Sequence, residues 1–161
     1  MNVSAEPADR VLVLTRLIDA PCSLVFSVWT QPEHLTRWWG PDEFTLPHCE
    51  VDFRVGGAYK FCMRAPDGSD HWVWGVYHEI VAPARLVFSW NRTQAPAMSD
   101  PWAVTQVTVT FTEEAGKTRL KLHQAVFPKD EECADHRGGW TECLDRLLRY
   151  AEHATSAEIQ I

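Results

Sequence analysis

Apolar and polar residues alternate along much of this chain. Tyr59, Phe61 and Met63 are separated by Lys60, Cys62 and Arg64, a two-residue period that predicts a half-buried strand. The period recurs in "AVTQVTVTFTEE", through Val107, Val109 and Phe111, and in "KTRLKLHQAVF", through Leu120, Leu122 and Gln124. All three apolar sets are expected to face one long helix, leaving Lys60, Arg64, Thr108, Thr110, Arg119 and Lys121 for solvent. "RVLVLTRLID", Arg10 to Asp19, predicts a further strand from its Val and Leu content. "HWVWGVYHEIVA" predicts another, but both of its faces carry aromatics. Trp72, Trp74, Val76, His78 and Ile80 fall on one face and Val73, Gly75, Tyr77 and Glu79 on the other, so periodicity does not choose the inward side. Leu86, Phe88 and Trp90 in "RLVFSWN" pose the same question.

The period changes to helical in three places. Pro21 or Cys22 opens a helix that buries Val25, Phe26 and Trp29. A shorter helix is predicted from Pro32 to Trp38 or Trp39, stopped by Gly40-Pro41. From about Pro128, a stripe at three- and four-residue spacing runs through His136, Trp140, Cys143, Leu144, Leu147, Leu148 and Ala151. Asp130, Glu131 and Glu132 crowd its start and Arg146 and Arg149 its end, the order that suits the helix dipole. Asp67-Gly68, Pro83-Ala84 and Glu114-Ala115-Gly116 read as turns. Gly56-Gly57 reads as a turn or bulge rather than a phosphate loop, and 93–101 as a polar loop. The layout is α+β: one domain over 9–154, between a flexible tail at 1–8 and another at 155–161.

Eight tryptophans in 161 residues favour a large aromatic interior. A net charge of −7 disfavours nucleic acid. No segment has the length of apolar sequence a membrane span needs, and "MNVSAEPADR" lacks the pattern of a signal peptide, so a soluble cytoplasmic protein is expected. The cysteines, Cys22, Cys49, Cys62, Cys133 and Cys143, are odd in number and read as free thiols. Cys133-x-x-His136 with Cys143 has no second paired motif to complete a zinc site. Neither metal nor cofactor is expected.

The stretches "IDAPCSLVFSVWTQPEHLTRWWGP", "VDFRVGGAYKFCM", "GVYHEIVAPARLVFSW", "VTVTFTE" and "HRGGWTECLDRL", in this order, resemble the family of Hsp90-ATPase activator homologues. That family sits within the START-like, or helix-grip, superfamily with polyketide cyclases and Bet v 1 allergens. The resemblance implies a curved antiparallel sheet wrapped around a long C-terminal helix, with two short helices after the first strand and a cavity between sheet and helix. Superfamily members commonly bind lipids, sterols, polyketides or other apolar molecules there. The eukaryotic activator engages the chaperone through an additional N-terminal domain. A chain of 161 residues has room for the START-like domain alone, so Hsp90 is not an expected partner.

The residues expected to line the cavity are Phe26, Trp29, Leu35, Trp38, Trp39, Tyr59, Phe61, Met63, Trp74, Val76, Phe88, Trp90, Val107, Val109, Phe111, Leu122, Gln124, His136, Trp140 and Leu144. Neighbouring helical residues diverge by about 100°, so one of Trp38 and Trp39 should pack into the core and the other should rim the opening, unless both are simply core. Gly138-Gly139, inside a helix, signals close approach of the sheet, a slight bend, or space for a ligand beside Trp140. His136 is either a satisfied structural group or an acid–base residue. An ionised Glu79 inside would need an arginine, from among Arg54, Arg64, Arg85 and Arg92.

Three functions follow in order of preference. The first is a binder of a small hydrophobic molecule, with no catalytic residue assigned. The second is a cyclase- or hydrolase-type enzyme using His78, Glu79 or His136. The third is a protein-interaction module with exposed Trp72 and Trp102. A homodimer is compatible with all three. The cavity is either open or filled by aromatic side chains.

Overall fold

The computed structural model describes residues 11–93, 105–125 and 130–154. The expected tails, most of the polar loop at 93–101, Trp102 and Pro128 lie outside the described residues. So do the side chains of Asp130, Glu131 and Glu132.

The chain runs β1 (Leu12–Ile18), α1 (Cys22–Thr30), α2 (Pro32–Trp38), β2 (Thr45–Val51), β3 (Ala58–Arg64), β4 (Asp70–Val81), β5 (Arg85–Thr93), β6 (Thr105–Glu114), β7 (Lys117–Ala125) and α3 (Asp130–Ala154). The strands form one antiparallel sheet in the order β1-β7-β6-β5-β4-β3-β2. This is the α+β, helix-grip arrangement, with α1 and α2 bridging the two edge strands and α3 laid against the sheet.

Local chemistry places the boundaries. Pro21 caps α1, and its carbonyl accepts the amides of Leu24 and Val25. Gln31 ends α1 and starts α2, and Pro32 supplies a pre-set φ at the first helical position. Between β6 and β7, Ala115 (φ 53°) and Gly116 (φ 83°) both adopt left-handed backbone. That is the two-residue turn whose twist matches an antiparallel hairpin.

The inward face of the sheet carries Tyr59, Phe61, Met63, Leu86, Phe88, Val107, Val109, Phe111, Leu120, Leu122 and Gln124, all buried. Strand β4 resolves its ambiguity with a bulge. Tyr77 pairs with Phe88 but Glu79 pairs with Val87, leaving His78 as the extra residue. Before the bulge the odd-numbered side chains, Val73 and Tyr77, point inward. After it Glu79 turns outward and Ile80 packs on the core. Trp74 and Val76 therefore lie on the outer face, away from the helix, and do not join the interior set expected of them.

Gly75 is required where it sits. A Cβ there would come within 2.0 Å of the Ser89 carbonyl oxygen. At this point the β4–β5 ladder opens: the Val76 amide donates to Ser89 Oγ (3.0 Å), and the Ser89 carbonyl instead accepts the Tyr59 hydroxyl (2.6 Å).

Candidate functional site

Five indoles fill the space between the sheet and the helices. Trp29, Trp38, Trp39, Trp90 and Trp140 form a continuous cluster with ring centroids 5.0 to 6.2 Å apart, in mostly edge-on or tilted contacts. Phe61 and Phe111 extend it. The gap left among Trp29, Trp39, Tyr59, Phe61, Tyr77, Leu86 and Phe88 is only about 10 Å3, at most the space of one water. The interior between the sheet and the middle of α3 is thus closed by aromatic side chains. Phe26, Leu35, Val107, Val109, Leu122 and Leu144 are packed core rather than the walls of an open chamber.

Trp38 is wholly buried, and its Nε1–H donates to the Val28 carbonyl at 3.0 Å. Trp39 follows the helix rather than belonging to it: with ψ 135° it is the extended residue that ends α2. Its ring divides the closed interior from a second space, a partly open groove of about 430 Å3. This groove lies along the first half of α3. Trp39, Gly40, Pro41 and Phe44 form one wall, Met63 and Trp90 come from the sheet, and Ala134, Asp135, His136, Gly138, Gly139, Trp140, Glu142 and Cys143 of the helix complete the lining. Of the residues expected to face a ligand, Trp39, Met63, Trp90, His136 and Trp140 meet here.

The glycines make the floor. A Cβ on Gly138 would meet nothing within 4 Å, and one on Gly139 would only touch Pro41 Cγ at 3.6 Å. Close approach of the sheet does not explain the pair; the helix is bare where the groove runs over it.

The opposite wall is pinned by side chains one turn apart on α3. Cys143 Sγ accepts the Gly40 amide at 3.2 Å, and Glu142 Oε1 accepts the Asp42 amide at 3.0 Å. Arg146 Nη1 donates to the carbonyls of Gly40, Pro41 and Phe44 at 3.0, 2.8 and 3.3 Å. Gly40 (φ 104°) and Glu43 (φ 69°) give the loop its curvature. Burial pushes the Cys143 thiol up to about 12, so it stays protonated and non-nucleophilic near neutrality. Nothing in the sequence marks this clamp, because Glu142, Cys143 and Arg146 meet a loop a hundred residues earlier.

Two polar networks hold the indoles. Gln124 is fully buried; its Nε2 donates to Thr105 Oγ1 and its Oε1 accepts Trp140 Nε1–H, each at 2.8 Å. Trp90 Nε1–H donates to His136 Nε2 at 3.1 Å. An indole nitrogen can only donate, so Nε2 is the acceptor nitrogen in this geometry and the ring proton sits on Nδ1. Trp29 Nε1–H has no partner among the described residues.

The other acid–base candidates lie elsewhere. His78 is exposed at the bulge. Glu79 pairs with Arg85 at 3.0 Å, both roughly half exposed. Neither reaches the groove. Trp72 is half-buried on the outer face, beside His48 (5.5 Å) and under the Lys60 ammonium (5.4 Å). With Trp74, Val76 and neighbouring polar groups the outer face also carries an open depression of about 390 Å3. All five cysteines are free thiols. Among the described residues, no group of three or more His, Cys, Asp or Glu is placed to hold a metal ion, and no helix is long and apolar enough to cross a membrane.

Solved structures of the same architecture exist. A protein from Chromobacterium violaceum is 27% identical, with a TM-score of 0.74 over 89% of this chain and 97% of its own. The AHSA1 protein of Silicibacter pomeroyi is 26% identical, with a TM-score of 0.76 over 91% of this chain and 99% of its own. A Nitrosomonas europaea protein, 22% identical, shares the fold with a TM-score of 0.77 over 93% and 99%. No curated protein matches the chain in sequence. The model of the family described as Activator of Hsp90 ATPase homolog 1-like protein matches residues 19–152, and the chain, START-like in fold, belongs to that family.

Proposed function

We propose that this protein binds a small hydrophobic molecule, with planar or aromatic character, in the groove over Gly138 and Gly139. The observation that carries the proposal is the contrast between two spaces: a core gap of about 10 Å3 and a groove of about 430 Å3. The groove's size falls in the ordinary range for small-molecule pockets, and its walls have their usual composition, apolar rings with a few polar groups at the edge.

Catalysis of the cyclase or hydrolase type has less support. A base needs a free lone pair within reach of the substrate. The lone pair of His136 Nε2 is taken by Trp90, and the Cys143 thiol is held protonated. A protein-interaction role would use the outer face, where Trp72 is already covered by Lys60 and His48.

The test is titration of intrinsic tryptophan emission, with thermal melting in parallel, against a panel of neutral polycyclic aromatic, sterol and lipid-like molecules. A ligand should change the emission and raise Tm, and replacing Trp90 with Phe should weaken it. A panel that moves neither signal defeats the proposal.

A further inference from the structure

We propose that the guest presents a neutral hydrogen-bond acceptor, a carbonyl-type oxygen on its aromatic frame, to the indole N–H of Trp29; this rests on the groove being a binding site and names the polar group it selects. Trp29 is 3% exposed, and its Nε1–H has no partner among the described residues. Buried donors are nearly always paired, and one left unpaired carries its full desolvation penalty. The neighbouring indoles obey that rule: Trp38, Trp90 and Trp140 each donate from Nε1 to an internal acceptor, at 3.0, 3.1 and 2.8 Å. Around Trp29 stand rings instead, with Trp38, Trp39 and Phe111 in edge-on contact. A π face is a second-order acceptor and does not replace an oxygen.

The Trp29 ring lies directly behind the groove wall. Trp39 and Trp140, which line the groove, have their centroids 5.9 and 6.1 Å from it. Trp29 also lines the small core gap, and Trp39 is the one described residue that borders both gap and groove. Trp39 is the movable ring of the cluster. Its indole donates no hydrogen bond to a described residue, and ring contacts hold it. Gly40, in left-handed backbone (φ 104°), follows it. Turned out into the groove, this ring joins the gap to the groove and opens a way to Trp29. An indole nitrogen only donates, so the arriving group must accept, which an ammonium does not. The Tyr59 hydroxyl has already given its proton to Ser89. No charged side chain lines the gap among the described residues, so a carboxylate would be buried without a counter-charge. A neutral oxygen remains.

Two probes of matched shape test this, acetylnaphthalene and isopropenylnaphthalene, which differ only in C=O against C=CH2. Calorimetry gives their affinities, and heteronuclear NMR follows the indole N–H signals. The ketone should move the Trp29 signal downfield and the alkene should not, while both move Trp39. In Trp29→Phe the ratio of ketone to alkene affinity should fall about tenfold, a ratio that cancels the smaller ring's effect on packing. If that variant loses its cooperative melt, the Trp29 signal of the unaltered protein decides alone. A Trp29 signal that the ketone leaves in place, or an affinity ratio unchanged in a folded variant, overturns the acceptor inference while the groove stands. A Trp29 response with Trp39 unmoved overturns the route past Trp39. Failure of both probes to bind the unaltered protein overturns the groove reading itself.

Discussion

Replacing Gly138 and Gly139 together with alanine separates two explanations of the pair. If the glycines were there for close packing, two added methyl groups would clash and the protein would lose stability. The surroundings predict the reverse. A Cβ at 138 meets nothing within 4 Å, and one at 139 reaches ordinary contact with Pro41 Cγ at 3.6 Å. Each change removes a helix-interior penalty of roughly 0.8–1 kcal/mol, so the pair should add about 1.5–2 kcal/mol. For a chain of this size that is a rise in Tm of about 4–6 °C, read by circular dichroism at 222 nm or by its loss on heating. The same two methyl groups stand on the groove floor, where overpacking of a bound ring costs about 1–3 kcal/mol, so affinity for naphthylmethanol should fall about tenfold. Higher stability with weaker binding is the expected pair of results. A fall in Tm would refute the reasoning from space, and a stabilised variant with unchanged affinity would remove the groove floor from the binding site.

Other perturbations test the supporting structure. Gln124→Leu strands a buried donor, Trp140 Nε1–H, and a buried acceptor, Thr105 Oγ1; at 1–3 kcal/mol for each orphan, a loss of about 3 kcal/mol is expected in urea unfolding. Gly75→Ala forces a Cβ into the Ser89 carbonyl at 2.0 Å, and should cost more than about 3 kcal/mol or prevent folding, seen as loss of soluble protein or of a cooperative melt. Cys143, with its thiol raised to about 12 by burial, should react with iodoacetamide roughly a thousandfold more slowly at pH 8 than a free cysteine does. Because the folded value is raised, its rate should climb with pH and show no plateau below 11, whereas a plateau near pH 8–9 contradicts the assignment.

Most of the fold is legible in the residue pattern. The two-residue alternation at Tyr59–Met63, Val107–Phe111 and Leu120–Gln124 gives both the strands and their buried face, because each of those strands keeps its register. The β4 strand defeats this logic. A single extra residue, His78, switches the parity midway, so Glu79 leaves the side its neighbours Val73 and Tyr77 occupy and finds Arg85. Cys62 and Val87 lie on the outer face yet are buried, so parity does not by itself fix exposure. Helical divergence does not place Trp39: the chain leaves the helix there, and Trp38 and Trp39 are both buried in the core, with Trp39 also lining the groove. The site was only partly legible. Aromatic richness was consistent with an open cavity or a filled one, and side-chain packing alone decides that the centre is closed and the space survives beside α3. The clamp of Glu142, Cys143 and Arg146 on the 40–44 loop is purely tertiary and leaves no periodic trace.

The most direct test is to follow the indole N–H signals of the eight tryptophans by heteronuclear NMR during a titration with naphthylmethanol. Trp90 and Trp140, whose donors hold His136 and Gln124 beside the groove, should shift in step with the probe, while Trp38, bonded to Val28 in the closed core, stays still. Shifts led by Trp38, or none at all, would contradict a guest seated on the glycine floor of α3.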